Sequence, residues 1–206
     1  MTASSTNFLE TDEVHLSLRG PAPDRVVVGF GFWLFLLSDI LIFASLFAAY
    51  AVLSGETAGG PNGAMLFDKK HVFIETACLL TSSFTCGLGA LAVRQFRINA
   101  VYVWMLVTLF LGLTFLTLEI TEFDSMIVAG NGPSRSAFLS AFFALVGTHG
   151  IHVATGLFWL IIMMLQIMTL GLTPMVRKRL FCLGLFWHAL DIVWVGVMTI
   201  VYLGAH

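Results

Sequence analysis

Two histidines, His149 and His152, stand three apart in FLSAFFALVGTHGIHVATGLFWL (138–160), a stretch with no formal charge. On a helix that spacing puts both on one face. Imidazole ligates haem, copper and zinc, and it also relays protons. Further along, FWHALDIVW sets His188 and Asp191 three apart, beside Trp187. Carboxylates recur in equally apolar company: Asp39 in LFLLSDILIFASLF, Glu75 in FIETACLL, and Glu119 with Glu122 in LEITEFD. An ionised side chain at the centre of a membrane helix costs about 2.5–3.5 kcal/mol on insertion scales, so each is a functional candidate by default.

The elements that position these residues follow from composition. The chain has 206 residues, 58% hydrophobic and only 11% charged, whereas soluble domains average roughly 25% charged. The expected fold is an all-α polytopic membrane protein. A bilayer-spanning helix needs about 20 mostly apolar residues, and five segments qualify: about 26–53, 71–93, 98–118, 137–170 and 180–203. The intervening stretches SGETAGGPNG, GNGPSR and GLTPMVRKR carry turn chemistry. Residues 1–25 are polar, with Pro21 and Pro23 and no apolar signal core, and are expected to form a flexible cytoplasmic tail. Residues 26–206 then form one five-helix domain. A net charge of −2 without a dense basic cluster argues against a nucleic-acid partner. Cys78, Cys86 and Cys182 lack metal or redox spacing and read as small buried hydrophobes.

Orientation follows the basic residues. Arg19, Arg25, Arg94, Arg97, Arg177, Lys178 and Arg179 fall on one side, and Lys69, Lys70 and Arg135 on the other. This asymmetry predicts a cytoplasmic N-terminus and, with five spans, a periplasmic C-terminus.

Three chemistries compete for the buried polar residues. Shared haem ligation needs two histidines on facing helices at one depth. At 1.5 Å per residue, His152 lies about 18–27 Å from the cytoplasmic end of its span and His188 about 12 Å from its own, which do not match. Zinc or copper would want further converging ligands. A proton relay needs carboxylates at successive depths, yet Glu75, Glu119 and Glu122 gather toward the outer side and leave Asp39 alone at the midplane. Packing fits better. Ser140, Ala144, Thr148, His152 and Gly156 recur every four residues as a small-residue stripe suited to close helix contact. His152 is thereby expected to hydrogen-bond to a neighbouring helix. Arg135 and the cluster 177–179 are suited to lipid phosphates.

These stretches also resemble a known family. SAFFALVGTHGIHVATGLFWL resembles the histidine-bearing helix of subunit III of the haem–copper terminal oxidases, and LFWHALDIVWVGVMTIVYL is similar to its last helix. FGFWLFLLSDILIFASLFAAYAVL, then AGGPNG, FIETACLLTSS and LEITEF, resemble its earlier segments in the same order. Five helices and the wording SDILIF look most like the bo-type ubiquinol oxidases; relatives using cytochrome c usually have Glu where this chain has Asp39. The resemblance implies a V-shaped helix bundle with no catalytic residue, cofactor or metal of its own. It implies an accessory role beside the large haem–copper subunit I, with subunits II and IV, in a proton-pumping quinol oxidase of the bacterial inner membrane. Haem and copper would sit on the partner subunit, ubiquinol would be the complex's substrate, and phospholipid would bind in a helix cleft. Asp39 and Glu75 are then the buried carboxylates to associate with proton uptake. Glu119, Glu122, Arg135, His149, His152, Trp187, His188 and Asp191 are structural or cleft residues, with the histidines and Asp191 joining the last two helices. Subunit III of a cytochrome c oxidase and a stand-alone ion transporter or proton channel are the alternatives.

The charge asymmetry is checked by topology fusions. Alkaline phosphatase fused after His206 is expected to be active and a fusion after Lys178 inactive; the reverse pattern would invert the orientation.

Overall fold

The computed structural model describes residues 24–59, 63–66 and 69–204. Its elements are α1 (Asp24–Leu53), the single turn α2 (Gly63–Leu66), α3 (Lys69–Arg94), α4 (Ile98–Val128), α5 (Ala137–Leu170) and α6 (Pro174–Val197), which continues as a π-helical stretch, Met198–Leu203. Among the described residues five helices are long and apolar enough to cross a membrane, at Val26–Leu53, Lys70–Arg94, Ile98–Val128, Ala137–Leu170 and Pro174–Leu203. The expected all-α, five-span class is what the chain adopts. Residues 1–23 of the expected tail lie outside the described residues, and Asp24 and Arg25 already belong to α1.

Two boundaries differ from the sequence reading. Helix α4 runs past Leu118 to Val128, because Glu119, Glu122 and Met126 turn inward against the bundle instead of ending it. Helix α6 starts at Pro174, not near Leu180. Thr173 caps it, accepting from Val176 N at 3.4 Å, and Pro174 occupies the first turn, where its missing N–H would have had no partner. Arg177, Lys178 and Arg179 therefore ride on the opening of a helix. The preceding helix stops at Gly171, whose φ of +65° suits glycine. Ser136 opens α5 in the same manner, accepting from Leu139 N at 3.2 Å.

Two helices each touch three others: α5 packs on α1, α4 and α6, while α3 pairs with α4, and α6 packs on α1, α3 and α5. Its tryptophans Trp187 and Trp194 are buried, and Phe115 of α4 meets Trp194 edge-on at 4.7 Å. Two glycines make room for the indole of Trp187. A Cβ on Gly112 of α4 would stand 2.7 Å from Leu157 Cδ2 and 3.0 Å from Trp187, and one on Gly156 of α5 would stand 3.0 Å from the same ring. The small-residue stripe of α5 is thus a close contact at Gly156, but Ser140 and Ala144 at its other end are exposed. Helix α1 buries only a narrow seam: Leu36, Phe43 and Tyr50, seven residues apart. That heptad spacing suits a left-handed helix crossing.

Overpacking a filled core costs about 1–3 kcal/mol. Gly112→Val is expected to lose that much in detergent unfolding, whereas Gly184→Ala, whose new Cβ meets nothing within 4 Å, should leave the midpoint unchanged.

Candidate functional site

The polar residues separate into three groups by the helices that hold them. The first is a ladder between α6 and α3. Trp187 Nε1 donates to Ser82 Oγ at 3.1 Å and Trp194 Nε1 to Thr76 Oγ1 at 3.1 Å. Beside the first rung, Ser83 Oγ lies 2.7 Å from His188 Nδ1. Three side chains of α6 therefore engage three short hydroxyls of α3, in antiparallel register. Serine and threonine suit this because a small hydroxyl donates and accepts within the close approach of two helices.

The second group is a set of buried carboxylates toward the Lys69 end of the bundle. Glu75 of α3 is 0% exposed, and Glu119 and Glu122 of α4 are 2% and 9% exposed. The three lie near enough to feel one another's charge. Tyr202, in the π-helical stretch, donates to Glu122 Oε2 at 3.1 Å, and His71 Nε2 approaches Glu75 Oε1 at 3.4 Å. Neither oxygen of Glu75 or of Glu119 has a hydrogen-bond partner.

The third group holds the two histidines of α5. His149 is fully buried with both ring nitrogens unbonded. Three rings surround it: Trp194 at 5.2 Å between centroids, Phe115 at 5.9 Å and Phe43 at 6.2 Å. His152 sits 5.2 Å from Phe43, and its Nδ1 meets Thr148 O of its own helix at 2.8 Å.

That last bond corrects the expectation that His152 reaches across to another helix. A carbonyl one turn back lies within reach without any inter-helix register. The expected fastening of the last two helices through four residues also changes partners. His149 meets α6 through a ring contact with Trp194, whereas His188 bonds to Ser83 of α3. Asp39 lies half-buried on α1, and Arg135 is exposed at the turn before α5, donating to Gly130 O at 3.1 Å. Sequence reasoning missed Thr76, Ser82, Ser83, Trp194 and Tyr202 as partners. The available signal was the hydroxyl run TSS in α3, three adjacent small donors in an apolar span.

Among the described residues no three His, Cys, Asp or Glu side chains form a group that could hold a metal. The revised helix ends keep the histidines at different depths. Counted at 1.5 Å per residue from the α5–α6 turn, His152 lies about 27 Å and His188 about 21 Å along. Cys182 is buried, Cys78 and Cys86 are half-buried, and all three are free thiols.

A cavity of about 270 Å³ opens where α1, the end of α3 and the start of α6 meet. Val28, Val93 and Phe181 give it an apolar wall, and Arg94, Arg177 and Lys178 a cationic rim. Arg177 also lies 4.8 Å over the ring of Phe96, a cation–π contact.

Comparison with known proteins adds an independent line. The family model described as cytochrome c oxidase subunit III matches residues 17–205. The cytochrome bo(3) ubiquinol oxidase subunit 3 of Pseudomonas aeruginosa is 53% identical over 174 residues, 84% of this chain and 83% of the relative. Quinol oxidase subunit 3 of Bacillus subtilis is 44% identical over 84% of this chain and 85% of the relative. Cytochrome c oxidase subunit 3 of Bacillus sp. strain PS3 is 43% identical over 84% of each chain.

Removing a ladder hydroxyl strands an indole donor. Interhelical hydrogen bonds in membrane bundles contribute about 0.6 kcal/mol on average and up to about 1.7. Ser82→Ala is expected to lose stability within that range in detergent unfolding. Ser38→Ala, which removes only a bond to Leu34 O of its own helix, should lose less.

Proposed function

The chain belongs to the cytochrome c oxidase subunit III family, and from that premise we propose that it is the accessory subunit III of a proton-pumping ubiquinol oxidase. The observation that carries the choice of quinol is the greater identity to the Pseudomonas relative, named for ubiquinol, than to the Bacillus relative named for cytochrome c. In this reading the chain supplies no reacting group. Haem and copper belong to the large subunit I, ubiquinol is oxidised and oxygen reduced elsewhere in the complex, and this chain packs beside subunits I, II and IV. It lies in the bacterial inner membrane with its Arg-rich end in the cytoplasm.

The geometry supports a structural role. Two indoles and the His188 imidazole of α6 bond to hydroxyls of α3, and His149 is walled off by aromatic rings. Such groups hold helices in register rather than meet a substrate. The phospholipid cleft of this reading is the opening between α1, α3 and α6. Its apolar wall suits acyl chains, and Arg94, Arg177 and Lys178 suit a headgroup phosphate at the membrane surface. Asp39 and Glu75 are the carboxylates assigned to supporting proton uptake.

Two measurements test this. Affinity purification through a tag on this chain is expected to bring down a large haem-bearing polypeptide in equal amount. A chain that purifies alone and moves ions in liposomes would favour the transporter alternative. In the assembled complex, Asp39→Ala is expected to keep haem content and initial oxygen consumption while reducing the number of turnovers before inactivation. Immediate, total loss of oxygen reduction would contradict the accessory role of Asp39.

A further inference from the structure

Phe96 stands in the turn between α3 and α4 with a φ of +55°, in the left-handed region that suits glycine. The hydrogen bonds of the turn impose that conformation. Arg97 N donates to Ala92 O at 3.1 Å and Phe96 N donates to Val93 O at 3.2 Å. These are the paired bonds of a Schellman motif, whose left-handed position falls on Phe96. Glycine usually fills that position, because it has no Cβ to crowd the backbone. Phenylalanine is strained there, and at 60% exposure its ring gains little from burial in return. Strain of this kind persists where surrounding contacts over-determine it, and it gathers at ligand sites.

The contact that the ring does make is with Arg177. The guanidinium carbon lies 4.8 Å from the ring centroid. Stacking on an aromatic face fixes the guanidinium plane and leaves its in-plane N–H groups to other acceptors. Arg177 is half-buried on the opening turn of α6, and its Nε is buried without a hydrogen-bond partner. A buried arginine N–H calls for an acceptor.

The same arginine lines the cavity of about 270 Å³, together with Arg94 and Lys178. Arg179, by contrast, donates to Gln166 Oε1 of α5 at 2.9 Å and is not part of the lining. None of the described residues that line the cavity is acidic. The paired N–H groups of a guanidinium match two oxygens of one phosphate. An ammonium carried beside that phosphate would meet only cations on this rim.

We propose that Phe96 is a positioning residue, held left-handed so that its ring fixes Arg177 at the cavity rim, where Arg177 and Arg94 grip a phosphate that has no ammonium beside it. This deepens the reading above that the cavity is a phospholipid cleft, and rests on that reading for the lipid source. Phosphatidylglycerol carries the required chemistry within a lipid, phosphatidylethanolamine adds the unwelcome ammonium, and inorganic phosphate carries the anion alone.

The test uses the intact complex purified through this chain, with p-benzoylphenylalanine replacing Leu180 of the cavity wall, in nanodiscs of equal phosphatidylglycerol and phosphatidylethanolamine. Illumination is expected to attach phosphatidylglycerol severalfold more often than phosphatidylethanolamine, as read by mass spectrometry. Phe96→Gly in the same background should cut the phosphatidylglycerol product severalfold without lowering the thermal unfolding midpoint. Phe96→Trp, which keeps a ring against the guanidinium, should retain the product. Equal attachment of the two lipids, a product unchanged in Phe96→Gly, or a midpoint that falls with the product would overturn the proposal and leave the cleft reading intact. Excess inorganic phosphate is expected to leave the product unchanged; its displacement by phosphate would keep the phosphate site and overturn the lipid source. No lipid product at all would overturn the cleft reading and this proposal with it.

Discussion

A polar group inside hydrocarbon has no water to turn to, so it must find its partner within the protein. In this chain the demand falls chiefly on α6, whose two indoles and imidazole project from the apolar part of the helix. Three hydroxyls on α3 meet them, with Trp187 opposite Ser82, His188 beside Ser83 and Trp194 opposite Thr76. The rest of the bundle is arranged around that register. Gly112 and Gly156 exist where Trp187 needs space, and Phe115, His149 and Phe43 stack outward from Trp194. A shift of either helix by one residue would break every rung at once, which fixes the register of α3 against α6.

The same arrangement accounts for several of the polar side chains that stand in apolar spans. Trp187, His188 and Trp194 bond to hydroxyls of α3 and His149 is closed off by rings, whereas Glu75 and Glu119 stay buried without a hydrogen-bond partner. The proposed role of an accessory subunit asks for rigid faces and a lipid-compatible surface, and a bundle locked through its own polar residues provides both. Helix α1 is the exception in the packing. It is held by one heptad seam and leaves most of its surface outward, so it offers the bundle's largest apolar face to neighbours or lipid.

The spans were legible in the sequence because hydropathy over twenty residues is a strong signal, and the start and end of α5 fell where Ser136 and Gly171 place them. The start of α6 was not, because Thr173–Pro174, a cap followed by a first-turn proline, stood beside three basic residues that read as loop. The end of α4 was hidden for a related reason: Glu119 and Glu122 look like a helix terminus until Tyr202 and Glu75 are known to face them. The functional candidates themselves were visible as polar residues in apolar spans. Their partners were not, since pairing Trp187 with Ser82 depends on the register of helices more than 100 residues apart. His152 shows the opposite case, where a local carbonyl satisfied a group that the sequence pattern assigned to a neighbour.

The central claim is that this chain stabilises an oxidase without holding any of its redox centres. The most direct measurement compares haem and copper per large subunit in the complex purified with this chain and in the complex from a strain lacking it. The account predicts identical haem and copper ratios, with the depleted complex less stable over time. Loss of one haem or one copper per large subunit on removing this chain would contradict it.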